Sequence, residues 1–302
     1  VWKGQEKSPE ACLRQRVIYN PVTVEYFDQF RLISDERAAK RAALGIKDTD
    51  VVIGRVGRND SVKWGDLILS AIPTILEKNP CVKILFRTVP SARLPWLKKR
   101  NFFDGRVVVL PESSTEKEIA ETYQLLDIYV HTSRRGEAFG NSLNEAMVWA
   151  LPIIVENTPH WDNGQLEQVD HGKTGWVVQS VGGLVGAVEH LVKHEGERHA
   201  FGLAGREKVI QSFDSQKGVK QYELAYLQLM GIADSDTVLR EMYPGADDVI
   251  SYHQRYRELR QLDYPHDGSL VQEAKRRIDY WRWRAVDSMV SRGLIKFKAN
   301  SQ

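Results

Sequence analysis

Three observations in this 302-residue sequence predict an α/β protein, a three-layer α/β/α Rossmann-like parallel sheet followed by a C-terminal helical extension. First, short apolar runs such as 51–56 and 127–131 alternate with longer stretches at helical spacing, which is the pattern of a parallel sheet with helical crossovers. Second, the strand run at 51–56, Val-Val-Ile-Gly-Arg-Val, carries consecutive apolar residues rather than one at every second position, as expected for a strand covered on both faces. Third, the alternation stops near residue 231, beyond which strand signals are scarce.

The elements follow in order. Residues 1–16 are polar without a clear period and read as a linker or the remnant of a preceding domain; the chain opens with Val rather than Met, so a longer protein is expected. The domain proper is assigned to 17–232. It begins with a short strand over 17–21, punctuated by Asn20-Pro21, and an Ala-rich helix over 25–44 ending at Gly45. Strands are predicted at 51–56, 82–86, 106–110, 127–131, 152–155 and 176–178. Helices are predicted at 63–78, 91–100, 115–126, 140–150, 165–169, 183–195, 197–212 and 215–231. Residues 233–302 form a basic extension.

Composition bounds the function. With Lys+Arg 42 against Asp+Glu 40, the formal charge of +2 calls for no nucleic acid. Two cysteines, Cys12 and Cys81, exclude a disulfide scaffold and suit a reducing, cytoplasmic setting. No apolar run approaches the roughly 18 residues of a membrane span. In the extension, Ile278, Trp281, Ala285 and Met289 fall at helical spacing and read first as a packing face. A basic, Trp-bearing helix resting on the inner membrane surface is the second reading of that segment.

The chemistry concentrates between Thr132 and Pro152. Glu137 and Glu145 flank a turn bearing Gly136 and Gly140, and a helix starts immediately after it. A helix N-terminus with its backbone N–H groups favours an anion such as a phosphate, and Gly140 lets that backbone approach closely. Two carboxylates beside a phosphate make sense only as acceptors for neutral hydroxyls, so a sugar joined to a phosphate fits, with both acids expected to point at one spot. Gly57-Arg58 ends a strand and Lys63 stands at the start of the next helix, placing two cations at the crevice where such sheets bind ligands. They would neutralise a diphosphate without a metal.

These residues carry a resemblance. Gly57-Arg58 with Lys63, Glu137-Ala-Phe-Gly140 with Glu145-Ala-Met147 and Pro152, and Glu167-Gln-Val-Asp-His-Gly-Lys-Thr-Gly175 resemble the C-terminal, donor-binding half of family-4 retaining glycosyltransferases of the GT-B fold, over about residues 17–232. The resemblance implies that Arg58 and Lys63 hold the donor diphosphate, Glu145 the ribose hydroxyls and Glu137 the transferred sugar. It implies backbone contacts from Gly57, Phe139, Gly140 and Asn141, a base lined by Leu110 and Pro111, and a shaping role for Glu167. It further implies a UDP- or GDP-linked donor, no cofactor or metal, and a glycan or lipid-linked sugar acceptor held by an N-terminal domain absent from this sequence. Two departures stand out. Family members often have glycine at Ala150, a difference expected to concern packing, and a Gly-rich turn at Thr158-Pro-His-Trp-Asp162, expected to alter the sugar pocket. A non-catalytic nucleotide-sugar-binding module is the alternative, and a GT-B phosphorylase or epimerase a third reading.

Other signals fail. His171-Gly-Lys-Thr-Gly175 has Glu167 where a P-loop requires Gly. Gly182-Gly-Leu-Val-Gly186 lacks the full dinucleotide pattern and reads as a helix start. The eight histidines, including His131, His160 and His171, are expected to show no metal spacing, and His131 is expected to cap a strand at the crevice rim.

Overall fold

The computed structural model of the protein describes residues 18–99, 105–159, 161–234, 237, 238 and 241. The assigned linker 1–16, His160 and the extension from 242 onward, with its helical apolar face, lie outside the described residues.

The chain runs α1 (Val24–Asp28), α2 (Ser34–Ala43), β1 (Val51–Val56), α3 (Asp66–Lys78), β2 (Val82–Arg87), α4 (Leu94–Lys99), β3 (Val107–Leu110), α5 (Glu116–Leu125), β4 (Ile128–His131), α6 (Asn141–Val148), β5 (Ile153–Glu156), α7 (Gln165–Gln168), β6 (Gly175–Val178), α8 (Val181–Lys193), α9 (Glu195–Ser212) and α10 (Ser215–Leu229). The six strands form one sheet in the order β3-β2-β1-β4-β5-β6, all pairs parallel. This is the predicted three-layer fold, and none of its described helices is long and apolar enough to cross a membrane.

Successive side chains of a strand face opposite sides, and each side has its own core. Ile53, Ile84, Phe86, Ile128, Val130 and Ile154 join α3 and α8 on one face; Val52, Val56, Leu85, Tyr129, Ile153 and Val155 join α5 and α6 on the other. Continuous apolar strands are therefore required by burial on both faces.

The structure corrects three local expectations. The helix predicted over 25–44 is two helices, α1 and α2. The break between them is held by a distant side chain: Gln124 accepts from the Leu32 N–H at 2.7 Å and donates to the Phe30 carbonyl at 2.9 Å. Of the strand predicted over 17–21, the described residues 18–21 form none; Val22 makes an isolated bridge to Asp214 instead. Lys63 sits in a turn rather than in the helix, which begins at Asp66.

The departure noted at residue 150 also resolves in the backbone. Ala150 has φ 53°, left-handed, at the end of α6. Its N–H bonds to the Met147 carbonyl at 2.9 Å and Leu151 N–H to Ala146 at 3.2 Å, the paired bonds of a Schellman ending. The difference from glycine thus bears first on conformation rather than packing.

Candidate functional site at the sheet switch point

The connection from β1 goes to one side of the sheet and β4 lies on the other, so a crevice opens beyond their C-terminal ends. Glu137 is held there. Its carboxylate receives Lys63 Nζ at 2.5 Å on Oε2 and His131 Nε2 at 3.4 Å on Oε1. Burial opposes ionisation of Glu137, but the hydrogen bonds and charge of His131 and Lys63 outweigh it and hold the carboxyl at about 2. His131 is itself buried, and burial together with the Arg55 guanidinium pushes it down to about 4 against the pull of Glu137. At neutral pH the cluster is therefore a carboxylate, an ammonium and a neutral imidazole donating its Nε2 proton. His131 is part of this cluster rather than a strand cap at the rim.

The main chain of Glu137 is fixed as firmly as its side chain. Its N–H donates to Gln165 Oε1 at 3.0 Å and its carbonyl accepts from Gly164 N–H at 2.7 Å. The Gln165 amide is oriented by donating to the Glu156 carbonyl at 2.9 Å and to Asn163 Oδ1 at 2.8 Å. Gly136, at φ 66°, turns the chain toward this anchor, and a Cβ there would lie 1.5 Å from the Asp162 carbonyl oxygen. Below the cluster Arg55 is buried, donating to the Thr132 and Lys63 carbonyls at 2.5 Å each and lying over the Trp64 ring. It ties the loop after β1 to the end of β4.

Gly140 precedes α6 at φ 102°, a conformation open to glycine. No side chain caps this helix start, and the Leu143 N–H bonds back to the Gly140 carbonyl at 2.9 Å. Gln168 fixes the turn by donating to the Gly140 carbonyl at 3.1 Å and to Asn144 Oδ1 at 2.7 Å. The Phe139 ring packs between Tyr19 and Phe213, with centroids 5.4 Å from each, so its side chain is an anchor and only its backbone is offered to a ligand.

Glu145 occupies a different place. Tyr123 donates to its Oε2 at 2.8 Å, and burial pushes its carboxyl upward against that hydrogen bond. It lines a cavity of about 280 Å³ with Thr23, Tyr26, Glu116, Ile119 and Asn141, in which neither Glu137 nor Lys63 takes part. The expectation that both acids point at one spot is corrected: Gly136 folds Glu137 back over the β4 end, whereas Glu145 projects from inside α6. Arg58 is exposed, and its carbonyl accepts from Trp64 Nε1 at 3.2 Å. Gly57 packs beside the same indole, where a Cβ would lie 3.0 Å from Nε1. The Leu110 and Pro111 carbonyls are engaged by the Thr88 N–H at 3.1 Å and Arg87 Nη1 at 3.3 Å. The Glu167 carbonyl accepts from Lys208 at 2.9 Å.

Residues that sequence reading passed over are Arg55, Gln165, Gln168, Tyr123 and Glu116. A lone arginine inside the strand run 51–56 was a visible signal; the glutamines and Tyr123 gave none, because their partners are distant in sequence.

This sheet order, with the paired cation and acid at its switch point, defines the donor-side half of a GT-B fold. The profile of the family described as glycosyl transferases group 1 matches residues 36–208, more than half of the chain, and the chain belongs to that family. N-acetyl-alpha-D-glucosaminyl L-malate synthase of Bacillus anthracis is 26% identical over 190 residues, covering 62% of this chain and 48% of that protein. Among solved structures, Anabaena Alr3699/HepE in complex with UDP and glucose aligns with TM-score 0.59 at 19% identity, covering 70% of this chain and 56% of that one. The C-terminal domain of a glycosyl transferase group 1 family protein (LpcC) from Francisella tularensis aligns with TM-score 0.53 at 20% identity, covering 65% of this chain and all of that domain. The chain spans about half the length of the curated relatives it matches.

Proposed function

We propose that this chain is the donor-binding half of a retaining, metal-independent glycosyltransferase moving a sugar from a UDP- or GDP-linked donor to a hydroxyl of a glycan or lipid-linked acceptor. The observation that carries the reading is the Lys63–Glu137 pair beside an uncapped helix start at the switch point. Without donor, the pair neutralises itself. A diphosphate placed opposite Lys63, Arg58 and the α6 N–H groups would draw Lys63 toward phosphate and leave the Glu137 carboxylate to accept from sugar hydroxyls. Charge growing on the leaving diphosphate is then stabilised more in the transition state than in the ground state. The bond from the anomeric carbon to phosphate oxygen breaks as the acceptor oxygen bonds that carbon from the same face. The acceptor proton passes to the leaving diphosphate, so no protein nucleophile is assigned. The Glu145 and Glu116 carboxylates, facing one cavity, suit the ribose. The basic segment from Lys275 to Lys298 suits contact with an anionic membrane face.

Calorimetry with UDP and GDP in the presence of EDTA tests the reading. Binding is expected with either nucleotide, and Lys63→Ala should weaken it about 30-fold, or roughly 2 kcal/mol. Absence of binding by both nucleotides, or binding indifferent to Lys63→Ala and Arg58→Ala, would sink it. A binding module without transfer is the second reading; transfer dependent on Glu137 once an acceptor-binding half is supplied would exclude it.

A further inference from the structure

A second cluster lies away from the crevice. His190 lies in the last turn of α8, His194 is the capping residue between α8 and α9, and Glu197 comes from the first turn of α9. One ligand atom from each of the three falls within 4.8 Å of the others. His190 Nε2 and Glu197 Oε2 are 2.7 Å apart, and the two imidazole rings stack with centroids 4.2 Å apart. His194 Nδ1 lies 2.8 Å from the His190 carbonyl, which can only accept, so Nδ1 carries the proton and Nε2 keeps its lone pair. A ligating histidine is commonly fixed in this way by a backbone carbonyl.

We infer that His190, His194 and Glu197 form a binding site for a divalent transition metal, best suited to Zn²⁺, that clips the α8–α9 junction. Two imidazoles and a carboxylate are borderline ligands that favour zinc over magnesium or calcium. Around tetrahedral zinc, with bonds of roughly 2.0–2.2 Å, ligand atoms sit roughly 3.3–3.5 Å apart. The His190–Glu197 pair opens slightly to admit the ion, the proton between them leaves to solvent, His194 swings in, and water fills the fourth position.

The site stands apart from the donor crevice. A helix following a parallel strand runs back along the sheet, so the end of α8 lies at the opposite edge from the crevice. The Lys78–Glu189 contact at 3.4 Å, joining the ends of α3 and α8, places it there. The inference is therefore independent of the donor reading.

Equilibrium dialysis of the full chain against Zn²⁺ in excess Mg²⁺, paired with thermal melts, tests it. One Zn²⁺ per chain is expected, with a rise in melting temperature on addition of Zn²⁺. His194→Ala, at an exposed position, and Glu197→Gln should each weaken uptake at least about tenfold and abolish the rise. His199→Ala, exposed on the same helix as Glu197, should change neither. No uptake, or uptake unaltered in His194→Ala and Glu197→Gln, overturns the inference.

Discussion

Glu137 and Glu145 flank the same turn and are chemically identical, yet their surroundings drive them apart. Both are withdrawn from water, which disfavours the charged form. Glu137 meets an ammonium and an imidazole N–H and falls to about 2, whereas Glu145 meets a single phenol and Glu116 and stays raised. What separates them is the partner set rather than burial. One acid is an anion countering a cation, and the other is an acceptor inside a cavity that it shares with Glu116, so the same residue type can serve phosphate and sugar on one side and ribose on the other.

The largest test of this contrast is pH. His131 is held neutral at about 4 in the fold, below its value near 6.5 in an unfolded chain. The unfolded state therefore binds the proton first, and stability, complete above about pH 6.5, should fall as pH drops toward 4, by at most roughly 3 kcal/mol. Urea midpoints across that range should show the slope in the wild type and a flatter one in His131→Gln. The Glu137 contribution is complete above about pH 4.5 and is lost progressively as pH falls from there through about 2. A slope unchanged by His131→Gln would mean that the imidazole is not the neutral donor of the cluster.

A smaller effect probes the other acid. Glu145→Gln should narrow the preference for UDP over 2′-deoxy-UDP by about tenfold, near 1.4 kcal/mol, while leaving the effect of Lys63→Ala intact. Competition binding measures both, and equal loss of diphosphate affinity in Glu145→Gln would merge the two sites again.

The smallest is a stabilisation. Ala150→Gly relieves a left-handed alanine at the end of α6 and should raise stability by about 1 kcal/mol, less the extra unfolded-state entropy of glycine. Because residue 150 touches neither carboxylate's partners, both titrations should stay where they are; a thermal melt and the pH series check the pair of expectations.

Much of this was legible in the residues. Apolar runs and helical periods announced the parallel sheet, since burial on both faces makes its strands predominantly apolar. The glycines at 136 and 140 and the charges at 58, 63, 137 and 145 marked the candidate site. The break at 29–33 was not legible, because the group that stabilises it, Gln124, comes from α5. The divergence of Glu137 from Glu145 was equally hidden, as it depends on Gln165 and Asp162 abutting the Gly136 turn.

By itself, then, the sequence determined the layers, the order of elements and the kinds of charge at the strand ends, because these follow from local periodicity and residue type. Only the tertiary structure decided which acid meets which partner and which histidines stand together. Partner sets arise where loops distant in sequence converge, and hydrogen bonds of about 3 Å cannot be read from spacing along a chain.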